Sequence, residues 1–289
     1  MTELFAFLLT GLTVGFVYAL VGMGFTVIYN ASGIINFAQG EFVMAGGMIM
    51  VFLLAGGVPY LPAYLLAIGL TALLGVLLWK LTDLSKESSQ ESLIILTLGY
   101  AIFLRGAAEV VFDKELHTLP PMLGEGHLTI LGATLSYQAL LVMTASVLIV
   151  AGLWFFFRRT RTGKAMIAVS LDPDAARLMG ISLKKIWILS FSLAAAIASI
   201  GGILLTPITS TNYEVGIMLG LKGFAAAITG GLSNPFGAVA GGLILGIMEA
   251  LVAGYLSSEY KDAVAFIIML LILFFRPGGL FGHRGVQRV

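Results

Sequence analysis

Apolar runs of membrane-crossing length alternate with short polar breaks along almost the whole chain. A helix needs about 20 apolar residues to cross a bilayer. Residues 5–29, 61–80, 92–112, 137–157, 186–207 and 236–255 read as such helices, and 261–275 as a last one. Two further runs are irregular. Residues 34–57 are interrupted by Asn36, Gln39, Gly40 and Glu41. Residues 216–232 are Gly-rich, marginal in length, and contain Lys222. The pattern predicts an all-α integral membrane protein with nine spans if every segment crosses, or eight if one irregular run is re-entrant.

The irregular runs resemble each other. Gly33-Ile34-Ile35 precedes Gln39-Gly40, with Gly46-Gly47 beyond; Gly216-Ile217-Met218 precedes Lys222-Gly223, with Gly230-Gly231 beyond. The register differs by one residue, and Gly-rich apolar sequence also matches itself by chance. A true repeat would make segments 1–4 and 6–9 two inverted four-helix halves, with segment 5 as linker. Inverted repeats with broken helices at matching positions are a transporter signature, the pathway lying near the repeat interface.

Charge sets the orientation. Residues 158–185 hold seven of the sixteen Lys and Arg against only Asp172 and Asp174. A basic loop between two spans is cytoplasmic by the positive-inside rule. The tail, with Arg276, Arg284 and Arg288 and no acid, belongs on the same side. With these fixed inside and nine crossings, the N-terminus is outside. The longest non-basic loop, 113–133, also falls outside. Within the basic loop a short helix is punctuated at both ends. Asp172 suits the N-cap, Pro173 the first helical position, Asp174 the positive end of the dipole, and Gly180 the C-terminal closure. It reads as a place where a partner pushes; the alternative is a loop that only fixes topology.

Composition agrees: 59% of the 289 residues are apolar and 11% charged, against about 25% charged in soluble domains. With no cysteine, thiolate metal sites and nucleophiles are excluded. HExxH, GxSxG and GxxxxGK[ST] motifs are missing, and His117, His127 and His283 are scattered in loops. The chain therefore does not read as an enzyme, and ATP-driven work would fall to another chain. The basic loop suits anionic lipid and lacks the aromatic interleaving expected for nucleic acid.

Polar groups inside a membrane are costly and usually face a cavity or a partner. Asn36, Gln39, Glu41 and Lys222 are the candidates for a translocation pathway; the alternative is that they cap freed backbone groups. A Glu41–Lys222 contact becomes available if the halves face each other. Arg105 and Glu109, four apart, are expected to pair along one helix. Glu249 reads as a helix cap near the outer end of its segment.

Three blocks resemble the branched-chain amino-acid ABC transporter permease family, LivH type. They are residues 29–47 (YNASGIINFAQGEFVMAGG), 163–181 (GKAMIAVSLDPDAARLMGI), and 222–249 followed by 256–262 (LSSEYKD). The resemblance implies one transmembrane permease domain, 1–289, in a bacterial inner membrane. It implies a periplasmic binding protein, separate cytoplasmic ATPase subunits, a second permease (different or identical), and no cofactor in this chain. It further implies that 158–185 is the coupling loop. The helix docking on the ATPase would then comprise Asp172, Pro173, Ala175, Ala176, Arg177, Leu178 and Gly180. The cargo would be branched-chain or related amino acids moving inward. The rival reading is a stand-alone secondary transporter or channel for a small polar solute, which would need a buried coupling-ion site.

Overall fold

The computed structural model describes residues 2–85, 89–130 and 132–282. Arg284 and Arg288, used above to orient the tail, and His283 lie outside the described residues. Among those described, the helices are α1 (Thr2–Ser32), α2 (Gln39–Ala55), α3 (Tyr60–Leu84), α4 (Gln90–Phe112), α5 (Tyr137–Arg159) and α6 (Arg161–Leu171). They continue as α7 (Pro173–Leu178), α8 (Leu183–Thr209), α9 (Val215–Gly230), α10 (Pro235–Tyr255) and α11 (Lys261–Phe275). A small antiparallel hairpin, β1 (His127–Ile130) and β2 (Ala133–Ser136), precedes α5, with His127 opposite Ser136.

The apolar runs located every long helix to within a few residues. Six of them (α1, α3, α4, α5, α8 and α10) are long and apolar enough to cross a membrane. The two irregular runs are the short apolar helices α2, of 17 residues, and α9, of 16. α11 has 15. α2 starts later than its apolar run because Gly33 adopts φ +71° and Asn36 holds a turn: its Oδ1 accepts from the Ala38 amide at 3.0 Å. Residues 33–38 thus lead into α2 as irregular backbone.

α1 and α8 form the centre. α1 packs on α10, α8 and α9; α8 packs on α3, α2 and α1. Glycines allow the closest approaches. Gly11 and Gly15 of α1 face Gly242 and Gly246 of α10, where added methyls would meet backbone; small residues let membrane helices touch in this way. α2 and α9 cross where Gly40 lies against Gly216 and Gly220. Leu65, Leu66, Leu70 and Leu73 of α3 and Leu148 of α5 are exposed on the outside of this bundle, as lipid-facing positions are.

The basic loop contains two helices where the sequence suggested one. α6 is capped by Thr160, whose Oγ1 accepts from the Gly163 amide at 2.9 Å, and buries Met166 and Val169 beneath the bundle. α7 is capped as expected: Asp172 Oδ1 accepts from the amides of Asp174 (3.1 Å) and Ala175 (2.9 Å). At its other end Gly180 has φ +83°, and the Ile181 amide donates to the Ala176 carbonyl at 3.1 Å. Trp187 Nε1 donates to the Ala31 carbonyl at 2.6 Å. Asn30 Nδ2 donates to the Ser233 carbonyl at 3.0 Å. The Leu280 amide donates to the Thr229 carbonyl at 2.9 Å. These ties gather the end of α1, the start of α8, the α9–α10 turn and the stretch after α11 at one end of the bundle. At the other end the hairpin packs beside the start of α1, and His117 bridges to Thr211 through paired backbone bonds.

Candidate functional site

The four pathway candidates divide into two kinds. Asn36 and Gln39 are fully buried and serve backbone. Besides accepting from Ala38, Asn36 donates to Gln39 Oε1 at 3.5 Å. Gln39 Nε2 donates to the Ala194 carbonyl of α8 at 3.0 Å. Asn36 thus holds the turn before α2, and Gln39 ties the start of α2 to the central helix α8. Neither residue lines the two cavities described below.

Glu41 and Lys222 are the buried charges of the short helices, and they do not meet. Both helices cross at Gly40 and Gly216, but Lys222 lies six residues past Gly216. At about 100° per residue it points away from the crossing. Glu41 instead takes Arg105 of α4 at 2.6 Å. Its side chain is 3% exposed and that of Arg105 28%. Glu41 Oε2 and Arg105 Nε have no hydrogen-bond partner. The expected Arg105–Glu109 pair is therefore absent. A deeply buried carboxylate on the neighbouring helix claims the guanidinium, and Glu109, nearer the helix end, pairs with Lys114 at 2.7 Å.

Lys222 of α9 sits in a second charged cluster. Its Nζ lies 2.6 Å from Asp262 Oδ1 at the start of α11 and 3.1 Å from Glu249 Oε1 on α10. It donates to Glu249 Oε2 at 3.2 Å and to the Tyr18 hydroxyl at 3.1 Å. Tyr18 in turn donates to Glu249 Oε2 at 2.7 Å. Glu249 is thus an ion-pair partner rather than a helix cap. Tyr18 and Asp262 escaped sequence reasoning. Tyr18 is an aromatic inside an apolar run, and Asp262 is an acid in the first turn of α11 with no local signal of its partner.

Two cavities differ in their relation to these charges. One, of about 510 Å³, reaches from Asn212, Glu214 and Lys261 down to Tyr18, Lys222 and Glu249. The other, about 500 Å³, lies between α2, α3 and α4 and is lined by apolar side chains such as Met44, Phe52 and Leu104.

On the basic loop, α7 presents apolar side chains outward: Leu178 is 89% exposed, and Met179, just beyond, 83%. Leu171 at the end of α6 is also exposed. Ala176 is only 4% exposed and packs under the helix with Val169 and Ile186. It therefore anchors α7 rather than offering a contact. At the opposite end Asp113 clasps the loop after α4, accepting from the Glu115 amide at 2.6 Å and lying 3.0 Å from His117 Nε2. The Glu115 amide first, and His117 second, hold its carboxyl below the usual range. Hydrogen bonding to Glu109, and its charge, raise the Lys114 pKa.

A family model described as "Branched-chain amino acid transport system / permease component" matches residues 7–273. The chain belongs to this family. It is therefore a membrane permease component rather than a catalytic subunit. The permease is 33% identical to the high-affinity branched-chain amino acid transport system permease protein BraD of Pseudomonas aeruginosa, over 98% of this chain and 97% of that one. It is 32% identical to the LivH permease of the corresponding Escherichia coli K12 system, over the full length of both. The LivH-type resemblance read from three blocks thus extends along the whole chain. Among solved structures, PsaBC from Streptococcus pneumoniae in complex with Fab matches 96% of the permease with a TM-score of 0.53 at 14% identity, covering 93% of that chain. At that identity the likeness speaks for the fold alone.

Proposed function

We propose that this permease moves branched-chain or related amino acids inward as one subunit of an ABC importer. Separate ATPase subunits supply the energy, and a second permease and a periplasmic binding protein complete the assembly. The observation that carries the reading is the end-to-end kinship with BraD and LivH. No cofactor is assigned to this chain. The membrane is the bacterial inner membrane, with the N-terminus outside and the C-terminus in the cytoplasm. Its support is that Arg158, Arg159, Arg161, Lys164, Lys184 and Lys185 cluster at the bundle end where the residues after α11 fold back.

In this reading α1–α5 and α8–α11 make nine passages, with α2 and α9 as the broken ones. α1–α4 and α8–α11 are inverted halves, joined by α5 and the basic loop within one domain, 1–289. The packing supports this. α3 lies on α8 as α10 lies on α1, and α2 lies on α8 as α9 lies on α1. The charges follow suit: α2 binds α4 through Glu41–Arg105, and α9 binds α11 through Lys222–Asp262. Two broken helices crossing at glycines are where alternating-access carriers place their pathway. Glu41 stands on that pathway beside the crossing, Lys222 lines a branch of it on the other face of α9, and Asn36 and Gln39 hold the bend into α2.

Residues 158–185 are the coupling loop, and α7, from Asp172 and Pro173 through Ala175, Arg177 and Leu178 to Gly180, docks on an ATPase. Exposed Leu178 and Met179 form the contact and Ala176 the anchor. The test is Leu178→Asp in the assembled transporter, with co-purifying ATPase and ATP-driven leucine uptake as readouts. Full burial of a leucine contributes roughly 1.5–3 kcal/mol, so ATPase affinity should drop at least about tenfold while membrane insertion is unchanged. Undiminished ATPase binding and uptake would remove α7 as the coupling element. If the wild-type chain never binds an ATPase, uptake driven by an ion gradient becomes the better account.

A further inference from the structure

The 510 Å³ cavity beside Lys222 has a build that ion pairing between helices does not require. Its size falls in the range of small-molecule sites, about 300–1,000 Å³. Val14, Leu205 and Leu219 make apolar walls between the mouth, where Glu214 and Lys261 stand, and the inner end, where Tyr18, Lys222 and Glu249 meet. The cluster is unbalanced: Lys222 faces two carboxylates, Glu249 and Asp262. Lys222 Nζ lies 3.1 Å from Glu249 Oε1, but no hydrogen bond reaches that oxygen. Glu249, on the cavity wall, is thus a buried acid whose Oε1 has only the ion-pair contact with Lys222. A donor reaching Glu249 from the cavity would complete the hydrogen bonding of that carboxylate. Lys222 has three donors and is the one cation among the groups at the inner end of the cavity.

We infer that this cavity is a transit site for an α-amino acid zwitterion, its ammonium against Glu249 and its carboxylate against Lys222. The aliphatic side chain lies among Val14, Leu205 and Leu219. The inference rests on the permease reading and adds to it the place and the polarity of recognition. The ammonium takes the position next to Oε1, and the carboxylate draws Lys222 off Glu249. Occupancy thereby loosens the tie between α9 and α10. Two opposite charges at one end and a dry wall along the other side suit a zwitterion with an apolar side chain. They suit a lipid chain or a simple ion less well, since neither uses both halves.

The chain contains no cysteine, so a single thiol reports on the cavity. Ala253→Cys places one in its lining. The complete transporter carrying it is labelled with a methanethiosulfonate reagent. The labelling rate is followed alone and with leucine, with isopentylamine (ammonium only), and with 4-methylpentanoate (carboxylate only). Leucine uptake is measured on the same preparation. Leucine should slow labelling several-fold, more than either half-analogue at equal concentration. Adding Glu249→Gln should raise the half-protecting concentration of leucine and isopentylamine at least about tenfold and spare 4-methylpentanoate. Lys222→Gln should do the reverse. Labelling indifferent to leucine in a transporter that still takes leucine up overturns the site. Protection that Glu249→Gln and Lys222→Gln alter equally for all three ligands overturns the polarity. Protection without any uptake would sink the importer reading and leave the site standing.

Discussion

The crossing of α2 and α9 at Gly40 makes a quantitative test. A methyl placed on Gly40 would stand 2.7 Å from Cα and 2.8 Å from N of Gly220, and would also strike the Gly216 carbonyl. All three atoms are backbone, so no side chain can rotate aside, and the two helices must separate. Overpacking of this kind costs typically about 1–3 kcal/mol, and a backbone clash belongs in the upper half of that range. Gly99→Ala on α4 is the matched control, because nothing lies within 4 Å of its added methyl. Gly99, in the middle of α4, gains roughly 0.5–1 kcal/mol of helix propensity, and Gly40, in the first turn of α2, gains less, so the difference between the two variants carries the clash of about 2–3 kcal/mol. Chains of this size shift by roughly 2–4 °C per kcal/mol. Gly40→Ala should therefore melt about 4–12 °C below Gly99→Ala when the purified permease is heated in detergent and its monodisperse fraction followed. Leucine uptake should fall with it, since the broken helices would no longer meet in register. Equal melting temperatures would refute the close crossing.

Two further outcomes follow from the ion pairs. Glu41→Gln and Arg105→Gln should each destabilise the permease by about 1–3 kcal/mol, less than for a wholly buried pair because Arg105 is partly exposed; the double variant should lose clearly less than the sum. Strictly additive losses in thermal unfolding would show that the pair carries no coupling. On the opposite loop, the depressed Asp113 carboxyl contributes stability above its unfolded pKa of about 3.9 and loses it as pH falls through the lower folded value. Protease nicking of residues 113–126 should stay flat from neutral pH down to about 5 and rise only below about 4. Asp113→Asn should remove that acid step, and an unchanged step would place its origin elsewhere.

Much of this protein follows from local rules. The apolar runs placed the long helices because a helix in lipid satisfies its own backbone and needs only length and hydrophobicity. α7 was legible in detail, since Asp172, Pro173 and Gly180 act on the nearest few amides and carbonyls. Other features depend on what stands opposite. No local rule says that Ala176 faces inward while Leu178 faces out; that depends on how α6 and α7 lie under the bundle. The hairpin before α5 and the helix α6 have short, weak patterns stabilised by the surfaces they cover. The charges show the difference most plainly. Spacing along α4 favoured Arg105–Glu109, and likeness between the broken segments suggested Glu41–Lys222. The fold instead gave Arg105 to Glu41, and Lys222 to Glu249 and Asp262. A buried charge pairs with whichever opposite charge the helix crossings bring within reach, and those crossings are set by glycines whose partners lie as much as two hundred residues away or more. Sequence by itself determined which segments form helices long and apolar enough to cross a membrane and which loop is basic; only tertiary packing decided which charges meet and where a cavity remains beside them.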